Sequence, residues 1–160
     1  MPLTRISGVR PATADDTPEV IRLAALMYEA MGQEATGAAW RQAAATALGS
    51  RLGRDAMVFV ADDPGSVGRL AATGAGTIAT RLPSPANPAA SVGYIQWVCT
   101  DPRWRRQGLA RLITSALIAW FRERDVRAVE LHATAHGAGL YRSLGFGPGS
   151  SPGLRMFLER

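Results

Sequence analysis

The chain predicts an α/β fold with a mixed sheet, carried by a single domain over residues 1–160. Three observations lead there. Apolar residues switch between strand and helix periodicity along the whole chain, in the order strand, helix, helix, three strands, helix, strand, helix, strand. No repeat, linker or low-complexity tract interrupts that order. A chain of 160 residues buries enough surface to fold as one unit, and its single Cys99 excludes an internal disulfide.

Ile6 to Arg10 is the expected first strand, closed by Pro11. Thr13 or Asp15 then caps a helix whose first turn holds Asp16, Pro18 and Glu19, all of which suit the start of a helix. Val20, Leu23, Ala24, Met27 and Met31 form its apolar stripe, and Gly32 ends it. An alanine-rich helix is expected from Gly37 to Leu52, and a strand from Met57 to Ala61. Asp62-Asp63-Pro64-Gly65 is a turn, and Leu70 to Leu82 is the strand that pairs back. Its Gly74-x-Gly76-x-x-Ala79 matches a dinucleotide-binding string, but that motif must open a helix and this one runs toward Pro83. The glycines therefore mark a bulge or a close approach. Val92 to Thr100, Ala128 to Ala133 and Leu154 to Glu159 are the remaining strands; Gln107 to Arg124 and Gly137 to Leu144 are the remaining helices.

Val98 to Arg111 (VCTDPRWRRQGLAR) organises the rest. A strand ends at Asp101-Pro102, arginines follow, and Gly108 precedes a helical pattern. The first amides of a helix lack intrahelical partners and lie at the positive end of its dipole, so such a junction binds anions. Arg103, Arg105, Arg106 and Arg111 add charge around the same point.

These residues resemble the GNAT acetyltransferases, whose acetyl-CoA fingerprint falls here on Arg105, Gly108 and Ala110. A second segment, Leu140-Tyr141-Arg142-Ser143-Leu144-Gly145-Phe146, resembles the family's LYxxLGF, and the likeness extends from about Val9 to Glu159. The resemblance implies a central, twisted, mostly antiparallel sheet flanked by helices, in which the fourth and fifth strands run parallel and splay apart. It further implies that acetyl-CoA lies in the gap: its pantetheine on the main chain of Val98 and Thr100, its pyrophosphate on the amides of Gln107, Gly108, Leu109, Ala110 and Arg111, with Arg105 and Arg106 beside it. Tyr141 stands where the family keeps its general acid, and Thr134 where it often has an asparagine that contacts the cofactor. Tyr28, Glu34 and Trp97 fall in the region that lines the acceptor site. Glu34 reads either as a general base or as a solvated loop carboxylate.

The expected activity is therefore N-acetyl transfer from acetyl-CoA to a small amine. The competing reading is a CoA-binding sensor or interaction module that kept the pocket and lost turnover. Homodimers are common in the family, although no patch in the sequence compels one.

Composition narrows the field further. All 18 basic residues are arginine, which excludes a P-loop and a Schiff-base lysine. Removing the four arginines of 103–111 from the net charge of +5 leaves 5 − 4 = +1, so the excess is local and no nucleic-acid partner is expected. His132 and His136 lack the Glu of a zinc helix, so no metal is expected, and Cys99 reads as a small residue within a strand. No window approaches the ~18 apolar residues of a membrane span and the amino end lacks a signal-peptide core, so the expected location is cytoplasmic.

Overall fold

The computed structural model describes residues 8–159. Five strands form one sheet in sequence order: β1 (Arg10–Pro11), β2 (Ala56–Asp62), β3 (Leu70–Thr80), β4 (Ser91–Thr100) and β5 (Ala128–Leu131). The first three pairings are antiparallel and β4–β5 is parallel, as a strand–helix–strand crossover requires. Helices α1 (Thr17–Ala30) and α2 (Ala38–Arg51) cover one face, while α3 (Leu109–Glu123) covers the other; α4 (Ala138–Ser143) follows β5. The core is split accordingly. Val20, Leu23, Leu48, Val58 and Val60 fill one side of the sheet, and Ile95, Leu109, Ile113, Leu117 and Phe121 the other.

The glycines of β3 and β4 seat α3. A Cβ at Gly93 would stand 2.6 Å from Phe121 Cε1, one at Gly76 would stand 2.8 Å from Phe121 Cζ, and one at Gly74 would overlap Ile113 Cγ2. The register also shifts between Thr73 and Ala75, so both expectations for these glycines hold, the bulge and the close approach. Gly93→Ala is expected to cost about 1–3 kcal/mol by overpacking, read as a lower urea midpoint. Phe121→Leu in the same chain should recover part of the loss, and an unchanged midpoint for Gly93→Ala would contradict the close seat.

Several expected elements differ. The first strand is Arg10–Pro11, with Ile6 outside the described residues. β5 stops at Leu131 rather than Ala133 because β4 diverges past Ile95 and leaves nothing to pair with. Leu154 to Glu159 is not a strand: no ladder partner lies beside it, and Leu154, Met156, Phe157 and Leu158 stand 97%, 80%, 86% and 84% exposed.

Arginine–carboxylate links tie the layers. Arg10 bonds Asp16 (2.8 Å) and Asp62 (2.8 Å), and Arg22 bonds Glu19 (2.7 Å) and Asp101 (3.1 Å). Arg10 holds the Asp16 and Asp62 carboxyls below their usual range. Burial pushes Glu19 and Asp101 up, but Arg22 and neighbouring amides outweigh it and both end up lowered. Groups with depressed folded pKa values stabilise fully above their unfolded values near ~4 and lose that contribution as pH falls through the folded ones. The urea midpoint is thus expected to be flat from about pH 7 to 5 and to fall below about pH 4. A midpoint still flat at pH 3 would show these links to be energetically neutral.

Candidate active site

The site begins where the β4–β5 ladder ends. Pairing runs from Val92↔Ala128 to Ile95↔Leu131 and stops, while β4 continues through Gln96–Thr100 with β3 as its ladder partner. Trp97 sits at the bulge with φ 58, a region costly for a bulky residue, and such strain concentrates at functional sites. The extra residue resets the alternation beyond it. Val98 therefore points toward α3, where its Cγ2 would be 3.4 Å from a Cβ at Gly74, and Trp97 and Cys99 pack on the α1 side. The Asp101 amide donates to the Ala71 carbonyl (2.7 Å). Strand alternation then turns the main-chain groups of Thr100 and Val98 the other way, into the gap that β5 has vacated.

The chain leaves this edge through a loop braced by ion pairs. The Asp101 carboxylate accepts from the Arg103 amide (3.0 Å) and from Arg22 (3.1 Å). Arg103 also reaches Asp63 at 2.7 Å, so its charge is neutralised within the scaffold. This corrects the sequence reading, which counted Arg103 among the anion-binding charges. Arg105 and Arg106 are exposed, and neither has a carboxylate partner among the described residues.

Helix α3 starts at Leu109 rather than Gln107, which lies in the bend before it. Gly108 is the N-cap with φ 76, and no side chain caps the helix. The Leu112 amide donates to the Gly108 carbonyl (3.1 Å), so the amides of Leu109, Ala110 and Arg111 precede the first intrahelical bond. A Cβ at Gly108 would meet nothing within 4 Å. Glycine is therefore needed for its backbone conformation, and the space before the amides is open. The Leu109 side chain is buried in the core and anchors this end of the helix. The Arg111 guanidinium donates to Ser143 Oγ (2.5 Å) and so links the start of α3 to α4.

On α4, the LGF segment closes the helix for a physical reason. Gly145 has φ 103, its amide donates to the Arg142 carbonyl (3.0 Å), and the Phe146 amide donates to the Tyr141 carbonyl (3.0 Å). That is a Schellman cap, and it swings Phe146 back against Tyr141, ring centroids 6.0 Å apart. Tyr141 is thereby oriented and half-buried, and burial raises its pKa above the usual phenol value. Thr134 Oγ1 accepts from the Gly137 amide (3.2 Å) at the entrance to α4, so its acceptor role is already engaged there.

The opposite side of the gap is aromatic. Tyr28, at the end of α1, is placed by a second cap of the same kind: Gly32 has φ 82 and the Gln33 amide donates to the Tyr28 carbonyl (2.9 Å). The Trp97 indole donates to Tyr28 Oη (3.2 Å), and Trp40 stacks edge-on against Tyr28 at 5.8 Å. Glu34 is exposed and accepts from the Thr36 hydroxyl (3.0 Å), the geometry of a solvated loop carboxylate. Burial, partly offset by Arg105, pushes the Cys99 thiol up to about 11, which leaves almost no thiolate nucleophile at neutral pH.

Sequence reasoning named Val98, Thr100, the amides that start α3, and Tyr141 as candidates. It missed Arg22, Asp63 and Ser143, because contacts such as Arg22–Asp101 join residues 79 apart and leave no local signature. Trp40 was also missed, although its place opposite Tyr28 follows from the packing of α1 on α2.

The profile of the acetyltransferase (GNAT) family matches residues 19–146. No curated protein sequence matches the chain. Among solved structures, a predicted acetyltransferase with acetyl-CoA from Clostridium acetobutylicum shares the fold at TM-score 0.83 and 20% identity, over 94% of this chain and 95% of that one. A GCN5-related N-acetyltransferase from Ralstonia eutropha JMP134 does so at TM-score 0.78 and 24% identity, over 92% and 97%. Glucosamine-6-phosphate N-acetyltransferase from Arabidopsis thaliana follows at TM-score 0.73 and 20% identity, over 93% and 97%. With the splayed β4–β5 pair and the uncapped α3 already in place, the profile match over most of its length shows that the chain belongs to the acetyltransferase (GNAT) family, the acyl-CoA-dependent N-acyltransferases.

Proposed function

We propose that this chain, as a single domain, transfers the acetyl group of acetyl-CoA directly to a primary amine on a small acceptor. The observation that carries this reading is the continuity of the open β4 edge with the uncapped amides of α3. A pantetheine is a chain of amides and can add to Val98 and Thr100 as another strand would. At the end of that edge the pyrophosphate meets the amides of Gly108, Leu109, Ala110 and Arg111, with Gln107 before them and Arg105 and Arg106 alongside. Each charge-assisted bond there contributes on the order of 1.5–3 kcal/mol.

The acceptor nitrogen attacks the thioester carbonyl carbon. A carbon–nitrogen bond forms, negative charge develops on the carbonyl oxygen, and the Val98 amide is the backbone donor for it. The carbon–sulfur bond then breaks with its electron pair on sulfur, and Tyr141 supplies the proton that sulfur takes up. Glu34, bonded to Thr36 in an exposed loop, leaves solvent water to accept the proton the amine loses. Tyr28 and Trp97 form the acceptor-side wall. A net charge of +1 outside the four arginines of 103–111 favours a small amine over a charged polymer. A cytoplasmic setting goes with this reading, and no helix among the described residues is long and apolar enough to cross a membrane.

The test is CoA release from acetyl-CoA across a panel of amines, with the N-acetyl product identified by mass. Amine-dependent release is expected. Tight acetyl-CoA binding with no transfer to any amine would favour a sensor instead.

A further inference from the structure

We infer that the acceptor carries its amine on a short arm from a single flat aromatic ring with a small polar substituent. This acceptor class rests on the acetyl transfer proposed above and follows from what stands on the acceptor side of it. Strand alternation fixes that side. Ile95, Val129 and Leu131 belong to the core under α3, so Tyr94, Gln96, Glu130 and His132 point to the other face of the sheet, where Trp97 also packs. Trp97 directly precedes Val98, the proposed donor to the thioester carbonyl, so this face begins at the reacting atoms.

The face is built of rings. Tyr28 accepts from the Trp97 indole (3.2 Å) and meets Trp40 edge-on at 5.8 Å, and Tyr94 meets His132 edge-on at 5.9 Å. His132 is the first residue past the last ladder pair, Ile95↔Leu131, so the aromatic wall reaches both lips of the gap. The chain after α4 closes the β5 side: a Cβ at Gly153 would stand 3.8 Å from His132 Cε1. Tyr28, Tyr94 and Trp97 are only partly buried, and a half-open row of rings beside a gap suits a flat apolar body.

Charge and hydrogen bonding narrow the class. Glu130 is paired with Arg81 (3.1 Å), and Glu34 is held by Thr36 (3.0 Å) in its exposed loop. A polyamine would bring a second ammonium to a face without an unpaired carboxylate, and an aminosugar would bring more hydroxyls than the wall has partners for. The free polar groups are few and sit together. Under Trp97, between α2 and the sheet, a cleft of about 50 Å³ is lined by Leu48, Val58, Ala75, Thr77, Gln96 and Trp97. Neither the Thr77 hydroxyl nor the Gln96 amide has a hydrogen-bond partner among the described residues. A water's share of liquid volume is about 30 Å³, so the cleft admits a hydroxyl-sized group and excludes a second ring.

Tyramine is the probe, set against 4-(2-aminoethyl)cyclohexanol, which keeps the amine, the arm and the hydroxyl but lacks the π-face. Turnover of acetyl-CoA is expected to give tyramine a kcat/KM about tenfold above the saturated analogue and on the order of 10²-fold above spermidine or glucosamine. Tyr94→Leu should cut the preference for tyramine over its analogue at least about threefold, and Gln96→Leu should raise the tyramine KM roughly fivefold. The wild-type comparison decides the matter even where a variant misfolds. Equal kcat/KM for tyramine and its analogue, or a preference for spermidine or glucosamine, would overturn the acceptor class and leave acetyl transfer standing. Absence of CoA release with every amine would overturn the transfer reading and the acceptor class together.

Discussion

Replacing Tyr141 with phenylalanine should lower kcat on the order of 10²-fold and leave the KM for acetyl-CoA within about twofold. The variant keeps the ring, so the edge-on contact with Phe146 and the Schellman cap that carries it remain. What it removes is one proton donor. A thiolate leaving without a proton is the poorer leaving group, and the expected loss corresponds to about 2.7 kcal/mol of transition-state stabilisation. Burial raises the Tyr141 pKa, which keeps the phenol protonated and moves any alkaline loss of activity above the usual ~10. With Tyr141 in the proposed role the acid form is the active one, so activity is expected to fall as pH rises through that value. A fully active variant would remove Tyr141 from the chemistry, and an equal rise in KM with unchanged kcat would make it a binding residue. Steady-state kinetics with the best amine of the panel decides between these.

Gly108→Asp should raise the Kd for acetyl-CoA at least 10²-fold, measured by calorimetry. Charge is the deciding effect. The residue sits at φ 76, a left-handed conformation that aspartate and asparagine tolerate, and the new carboxylate would occupy the open space before the first amides of α3. Gly108→Asn is the control, since asparagine takes the same backbone without bringing charge. The asparagine variant should retain most of the affinity and the aspartate variant almost none. Unchanged affinity in the aspartate variant would show that the pyrophosphate binds elsewhere and would take the proposed cofactor placement with it.

Much of this molecule was readable from local pattern. The apolar stripes of α1 and α3, the apolar runs of β2 and β4, and the order of elements as far as α4 follow from side-chain period and turn chemistry, which act within a few residues. The two motifs were readable for the same reason. Arg105 to Ala110 encodes a helix start without a side-chain cap, and Tyr141 to Phe146 encodes a Schellman cap; each is a backbone conformation that a short sequence enforces.

What the chain could not state locally is which of its charges and strands find partners. Four arginines between 103 and 111 look alike in sequence, yet Arg103 is bound to Asp63 and Asp101, and Arg111 leans on Ser143, while Arg105 and Arg106 have no carboxylate partner among the described residues. Glu34 became a solvated loop carboxylate only once Thr36 and the helix ends around it were placed. Leu154 to Leu158 has the alternation of a strand, but a strand exists only where a neighbouring edge accepts its hydrogen bonds, and period alone does not supply the neighbour. The sequence by itself therefore determined the elements, their order and the backbone shape of the anion site. Tertiary structure decided how wide β4 and β5 part, which guanidiniums remain available to a ligand and where the tail goes, because those depend on contacts between residues tens of positions apart.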